Sequence, residues 1–269
     1  MSGVPLKILK MRHASSDMNI ISSSYSNTNI HIPFYKMSYT ESLIDCDLSF
    51  QGKLEINSMS PILDKFGIKY IFTSPLRRAI ETTRLLVETQ KPKTIPKIRV
   101  EPDLREFLMN QSDIPYYYKK AMHNNLYSNF DFSEMISADR KQLWYIKDNT
   151  GEAFPEMKEY LDLLGILDPE RKITDISLMV HVLNKMRGIF PKSIEPETML
   201  RARIRNAFES ISTFLSNEIY IRGEEIKDHE VLVITHYNII SAIHKDVTSE
   251  EGFMGSLDPT DITEMQLII

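Results

Sequence analysis

Two histidines and a pair of arginines sit where polar groups end apolar runs, and that placement points to anion chemistry. Leu6-Lys7-Ile8-Leu9-Lys10-Met11 alternates apolar and basic residues, as a short strand would, and runs directly into Arg12-His13. Glu230-Val231-Leu232-Val233-Ile234-Thr235 has the pattern of a fully buried strand and ends on His236. A third strand, Ile68–Thr73, is followed by Ser74-Pro75, which reads as an N-cap and first helical residue, with Arg77 and Arg78 in the first turn. Ligands of open α/β sheets bind beyond the carboxyl ends of the strands. Imidazoles, guanidiniums and a helix N-terminus gathered there suit a phosphate.

Other chemistries fit less well. His13 and His236 have no second His or carboxylate at metal-ligand spacing, and Glu101, Asp103 and Glu106 are too ordinary a cluster to supply one. The Gly-x-Ser-x-Gly elbow of a nucleophilic serine is missing. Cys46 is the single cysteine, so there is no internal disulfide and no Cys-based zinc cluster.

The elements that must position these groups alternate between strand and helix. Leu48–Phe66 reads as a helix stopped by Gly67. Leu76, Ala79, Ile80, Thr83, Leu86 and Val87 form a helical stripe after Ser74. Ile98–Val100 is a short strand. Glu195–Tyr220 is an amphipathic helix with Leu200, Ile204, Ala207, Phe208, Ile211, Phe214 and Leu215 on one face. A helix over Ile239–His244 and a terminal strand over Ile262–Ile269 complete the pattern. Residues 20–44, rich in Ser, Asn, Thr and Tyr, read as a long loop. Residues 107–195 read as an inserted, mostly helical cap or lid. The expectation is one domain over 1–269, a three-layer α/β/α fold with a mainly parallel central sheet and this long insertion.

The chain has 269 residues, 42% of them hydrophobic, enough to bury a core without crosslinks. With 32 Lys+Arg against 37 Asp+Glu, the net charge is −5, which offers nucleic acid no global basic field. No run approaches the 18 or so apolar residues of a membrane span. The stub before Leu6 leaves no room for a signal peptide, and Gly at position 3 does not fit myristoylation. The expected partners include neither nucleic acid nor membrane. The expected location is the cytoplasm, with an organelle still open.

Taken together the motifs resemble the histidine phosphatase superfamily, the phosphoglycerate-mutase-like fold. Met11-Arg12-His13-Ala14-Ser15-Ser16-Asp17-Met18-Asn19 is similar to its Arg-His-Gly opening. Asp45-Cys46-Asp47-Leu48-Ser49-Phe50-Gln51-Gly52 resembles Asp-x-x-Leu-Ser/Thr-x-x-Gly. Thr73-Ser74-Pro75-Leu76-Arg77-Arg78-Ala79-Ile80-Glu81-Thr82 resembles Ser-Pro-Leu-x-Arg-Ala-x-x-Thr. Leu104-Arg105-Glu106 resembles Leu-x-Glu, Glu197-Thr198 with Arg205 resembles a Glu-Ser…Arg helix, and Val233–Ile240 resembles Val-x-His-Gly-x-x-Ile. The resemblance covers roughly 1–19, 45–106 and 196–269.

It implies a phosphohistidine mechanism with no cofactor and no metal. His13 would be the nucleophile. Arg12, Arg78 and His236 would surround the phosphoryl oxygens, and Glu106 would act as general acid and base. Ser16, Asn19 and Tyr237 would contact substrate. The alignment selects Arg78 over Arg77, because Arg directly precedes Ala in the motif. Two positions depart from it: Ala14 and Tyr237 stand where the family has Gly. Tyr237 either lines the pocket or packs outward.

Hydrolysis of a phosphomonoester, on a small molecule or a phosphoprotein, is favoured over a mutase, because the family's phosphoglycerate-binding loops are not recognisable in 107–195. A different reading is a slow or inactive relative that acts in binding or assembly, using 20–44 or 107–195 to hold a protein partner. Tyr116–Tyr118 and Trp144 would either stack on a substrate or belong to the core.

Overall fold

A computed structural model describes residues 4–19, 45–107, 117–140, 197–248 and 258–269. Among them, six strands form one sheet: β1 (Pro5–Arg12), β2 (Tyr70–Thr73), β3 (Lys97–Val100), β4 (Phe130–Asp131), β5 (Val231–Thr235) and β6 (Ile262–Ile268), in the order β4-β3-β2-β5-β1-β6. All neighbours pair in parallel except β6, which runs antiparallel to β1.

The strand alternation sorts side chains to two cores. Leu9, Met11, Ile71, Ile98, Val100, Leu232 and Ile234 face one side. There they meet α1 (Phe50–Ser58), α2 (Ile62–Phe66) and α3 (Arg77–Gln90) through Ile56, Ile62, Leu63, Ala79, Ile80 and Leu86. Leu6, Ile8, Tyr70, Phe72, Val231 and Val233 face the other side. They meet Ala207, Ile211 and Leu215 of the long helix, which spans Glu197–Arg222. Every residue of β5 is buried, as a strand covered on both faces requires. The result is the α/β/α arrangement with a mainly parallel sheet that the pattern predicts.

Two helices differ from their sequence expectation. Leu48–Phe66 is not continuous: α1 ends at Ser58, and a second helix begins at Ile62 after Pro61, whose ring cannot continue the i→i−4 ladder. Gly67 then closes α2 in the left-handed conformation, φ 64°. The helix after β2 begins at Arg77, not Pro75, and Ser74 is not its cap. That function falls to Asp45, whose carboxylate Oδ1 accepts the Arg77 N–H at 2.6 Å from 32 residues upstream.

Within 107–195, residues 117–140 form α4 (Tyr118–Met122), a short 3₁₀ turn, β4 and α5 (Ser133–Arg140). Tyr118, Ala121, Tyr127, Phe130, Phe132 and Met135 are buried in the same core as α3. Trp144, Tyr116 and the loop 20–44 lie outside the described residues. The long helix is α6 (Glu197–Arg222), and α7 (Tyr237–Thr248) follows β5.

Candidate active site at the carboxyl edge of the sheet

Strand register sets the site. Arg12 pairs with Thr235, and Thr73 pairs with both Ile234 and Val100. The four residues that follow these strands therefore emerge side by side: His13, Ser74, Glu101 and His236. Backbone bonds continue one step past the strands, His13 N–H to Thr235 O at 2.9 Å and Ser74 N–H to Ile234 O at 3.0 Å. His13 and His236 come together with ring centroids 4.9 Å apart.

His13 is buried and held by both ring nitrogens. Nδ1 lies 2.7 Å from the Ala14 carbonyl oxygen, so it carries the proton and donates. Nε2 is then the lone pair, and it accepts from Arg78 Nε–H at 3.2 Å. Burial, then Arg78 and Arg12, push the imidazole well below its usual range, so it is neutral at physiological pH. His236 is likewise held neutral by burial and by Arg78. Its Nε2 is 2.7 Å from Ser74 Oγ, which also accepts the Leu76 N–H at 3.3 Å. The hydroxyl that sequence reading assigned to a helix cap thus serves a histidine.

The two arginines of the first turn diverge. Arg78 is buried, against His13 and with its Nη1 at 3.9 Å from Cys46 Sγ. Arg77 turns away to pair with Asp47 at 2.6 Å and to stack over the Tyr117 ring at 4.6 Å. Neighbours on a helix point about 100° apart, and the helix uses both directions. Arg12 lies 5.9 Å from the centroid of Tyr237, so the tyrosine in the glycine position packs beside the guanidinium that precedes His13. Burial lowers the Arg12 pKa, opposed by the nearby charges of Glu106, Asp258 and Glu55.

Glu106 is buried, and its Oε1 accepts the Phe107 N–H at 2.8 Å. The turn that carries it is clamped by Arg203 of α6. That guanidinium donates to the carbonyls of Asp103 (2.7 Å), Arg105 (2.8 Å) and Glu106 (3.4 Å). Thr235 Oγ1 donates to Leu104 O at 2.8 Å and fixes the same turn to β5. The sequence reading placed the arginine of this helix at Arg205, which is exposed, whereas Arg203 is buried.

The backbone after His13 is held on every side. Ala14 N–H donates to Thr82 Oγ1 at 3.1 Å, and Thr82 in turn donates to Arg78 O at 2.7 Å. Ser15 N–H and Oγ donate to the two oxygens of Glu55, at 2.8 and 2.7 Å. Ser15 O accepts from Ser49 N–H and Oγ, both at 3.0 Å. A Cβ on Gly52 would lie 2.1 Å from Ser15 O, so the helix can approach this closely only with glycine there. Ser16 N–H and Oγ donate to Asn19 Oδ1 at 3.0 and 2.9 Å, which joins the two predicted contact residues to each other. Glu55 and Arg203 belong to no sequence motif of the site, whereas Ser74 and Thr82 enter the sequence pattern only as a helix cap and as motif positions.

Among the described residues, no group of three or more His, Cys, Asp or Glu side chains is placed to hold a metal ion, and no helix is long and apolar enough to cross a membrane.

Residues 36–137 match the family model of the histidine phosphatase superfamily (branch 1). No curated protein matches the chain in sequence. Among solved structures, phosphoglycerate mutase from Bacillus anthracis str. Sterne is similar at a TM-score of 0.51 and 16% identity, over 99% of this chain and 90% of that one. A mycobacterial glucosyl-3-phosphoglycerate phosphatase gives 0.48 and 17%, over 98% and 91%. A putative alpha-ribazole-5'-P phosphatase from Escherichia coli str. K-12 substr. MG1655 gives 0.39 and 13%, over 90% and 79%. Residues 36–137 are thus similar to the histidine phosphatase superfamily, and the α/β/α fold with its mainly parallel sheet is similar to that of the solved phosphoglycerate mutase.

Proposed function

We propose that the protein hydrolyses phosphomonoesters through a phosphohistidine on His13. The observation that carries this reading is the arrangement of that imidazole: neutral, its proton on Nδ1 given to a carbonyl, its Nε2 lone pair aimed at a buried guanidinium. Only a neutral imidazole with a free lone pair can attack phosphorus. When a phosphoryl group enters, the Arg78 donor passes from Nε2 to a phosphoryl oxygen, so ground-state contact becomes transition-state contact. Arg12 and His236 complete the donor set, and the Asn19 amide NH₂ is a further donor that Ser16 does not engage.

The steps balance without an added reagent. Nε2 bonds to phosphorus as the ester P–O bond breaks, and Glu106 gives its proton to the leaving oxygen. Water then attacks phosphorus, Glu106 takes its proton, and the P–N bond breaks to release phosphate. Hydrolysis is favoured over a mutase because the loops that hold phosphoglycerate in the family have no counterpart recognisable in the sequence of 107–195. The substrate is a phosphorylated small molecule or phosphoprotein and the setting is the cytoplasm; residues 117–140, which join the sheet through β4 and pack in its core, belong to the main body and not to a lid.

The test is turnover of an aryl phosphate near pH 5.5–7 (roughly where imidazole and carboxyl are both useful), with His13→Ala and an EDTA control. Wild-type turnover, no mutant turnover, indifference to EDTA and an acid-labile phosphoenzyme are expected. A wild type as inactive as the mutant overturns the proposal and moves the role to binding or assembly through 20–44 or 107–195.

A further inference from the structure

We propose that Glu55 is a positioning residue for the nucleophile, acting on His13 through the Ala14–Ser15 peptide; this rests on the phosphohistidine reading. The geometry is a continuous relay. One oxygen of the Glu55 carboxylate accepts the Ser15 N–H at 2.8 Å. That N–H and the Ala14 carbonyl belong to one peptide unit. The carbonyl accepts His13 Nδ1–H at 2.7 Å. A carboxylate on the amide proton draws the peptide toward its charge-separated resonance form and places more negative charge on the carbonyl oxygen. The oxygen then holds Nδ1–H more firmly, and Nε2 becomes the better electron donor. A carboxylate placed directly on the distal nitrogen of a histidine acts in the same way, fixing tautomer and ring and raising basicity. Here one peptide is interposed.

Three features set Glu55 apart from an ordinary surface carboxylate. It is half-buried on α1, three residues after Gly52, whose missing side chain lets the helix reach Ser15. Its second oxygen takes the Ser15 hydroxyl at 2.7 Å, so the carboxylate is held at two points. The peptide before the relay is fixed independently, by Ala14 N–H on Thr82. The segment therefore has little freedom, and the Glu55 contact is transmitted to the ring instead of being absorbed by the backbone.

The charged and titratable groups that face His13 are Arg12 from β1, Arg78 from α3 and His236 from the end of β5. The two guanidiniums disfavour the imidazolium. Glu55 lies close enough to act on Arg12 as well. Its loss therefore also removes a negative charge that acts on Arg12.

Glu55→Gln keeps an acceptor for Ser15 N–H and removes the charge. In ¹⁵N-edited NMR of the resting protein, the His13 imidazole is expected to titrate at lower pH in the variant, with a weaker preference for Nδ1–H. The kcat for an aryl phosphate is expected to fall about tenfold, as for loss of a partner behind an active histidine, with KM unchanged and the acid limb of kcat/KM moved to lower pH. Ser15→Ala, which keeps the peptide N–H on Glu55, leaves the His13 titration in place. Glu55→Asp is expected to restore part of it. An unchanged titration in folded Glu55→Gln, or an equal shift in Ser15→Ala, overturns the relay. The NMR readout needs no substrate, so it decides the relay even if the aryl phosphate is not turned over. If wild type turns over and Glu55→Gln matches it, the relay fails and the phosphohistidine reading stands.

Discussion

Arg77 and Arg78 are adjacent in sequence, and the structure gives them opposite tasks, which sets up a double dissociation. Arg78→Ala removes a donor that lies 3.2 Å from His13 Nε2. Loss of one preorganised donor to a developing oxyanion costs about 10²–10³ in kcat, roughly 3–4 kcal/mol of transition-state stabilisation. KM should change less, because the donor reaches the phosphoryl oxygens fully only as charge develops. Arg77→Ala removes an ion pair to Asp47 and a ring contact to Tyr117. A partly exposed ion pair is worth about 0.2–1 kcal/mol and a cation–π contact about 0.5–1, so stability falls by roughly 1–2 kcal/mol. Activity should remain within about threefold, since neither contact touches the reacting atoms. The assays are steady-state kinetics on an aryl phosphate and urea melts of both variants. Equal kcat losses would refute the assignment of the phosphate contact to Arg78. A large kcat loss in Arg77→Ala with Arg78→Ala near wild type would reverse it.

Other consequences are as direct. Gly52→Ala puts a methyl carbon where Ser15 O already stands, so a loss of about 1–3 kcal/mol or more is expected from overpacking, with reduced kcat from displacement of the His13 loop, read by thermal melt and kinetics. Glu101 is buried against Ser210, and burial, then Asp103, raises its carboxyl to about 8 from 4.5. The folded state therefore binds that proton more tightly. Its contribution is fully present below about pH 4.5 and is lost as pH rises through 8. Glu101→Gln should flatten the stability profile in that window, and an unchanged urea midpoint between pH 5 and 8 would contradict the assignment. Lys10 is buried, and burial lowers its pKa to about 8 from 10.5. Stability is reduced below pH 8 and recovers as pH rises toward 10.5, so Lys10→Met should raise Tm at neutral pH, by an amount on the order of 3 kcal/mol in stability.

Much of the site is legible in the sequence because the chain changes character where strands end. An alternating or wholly apolar run that terminates in Arg-His or Thr-His marks a sheet edge without any knowledge of what surrounds it. The helix stripes were equally plain. What local pattern does not carry is which of two roles a polar residue takes when a partner far along the chain competes for it. Ser74 has every feature of a cap, yet Asp45 reaches the helix end and Ser74 serves His236. Glu55 sits on a helix face where a solvated charge is the ordinary expectation, and only its contact with Ser15, 40 residues away, shows its use. Arg203 did leave a trace. It falls three residues after Leu200 and four before Ala207, on the buried stripe, where a charged residue needs a partner. Pro61 was also in plain view as a break in Leu48–Phe66.

The double pin at Ser15 has an evolutionary meaning. Ser15 O is held by Ser49, Ser16 bridges Leu48, and Gly52 seals the contact at backbone distance. The chain thus leaves the pocket at Asn19 and re-enters at Asp45 through two ends already fastened together. Lengthening a loop whose ends are tied costs only logarithmically in closure entropy. Changes of chain length between Asn19 and Asp45 are therefore expected to have little consequence for the imidazole next door. The site is insulated from changes of length between its two fastened ends, which gives the scaffold a place to acquire new recognition without renegotiating its chemistry.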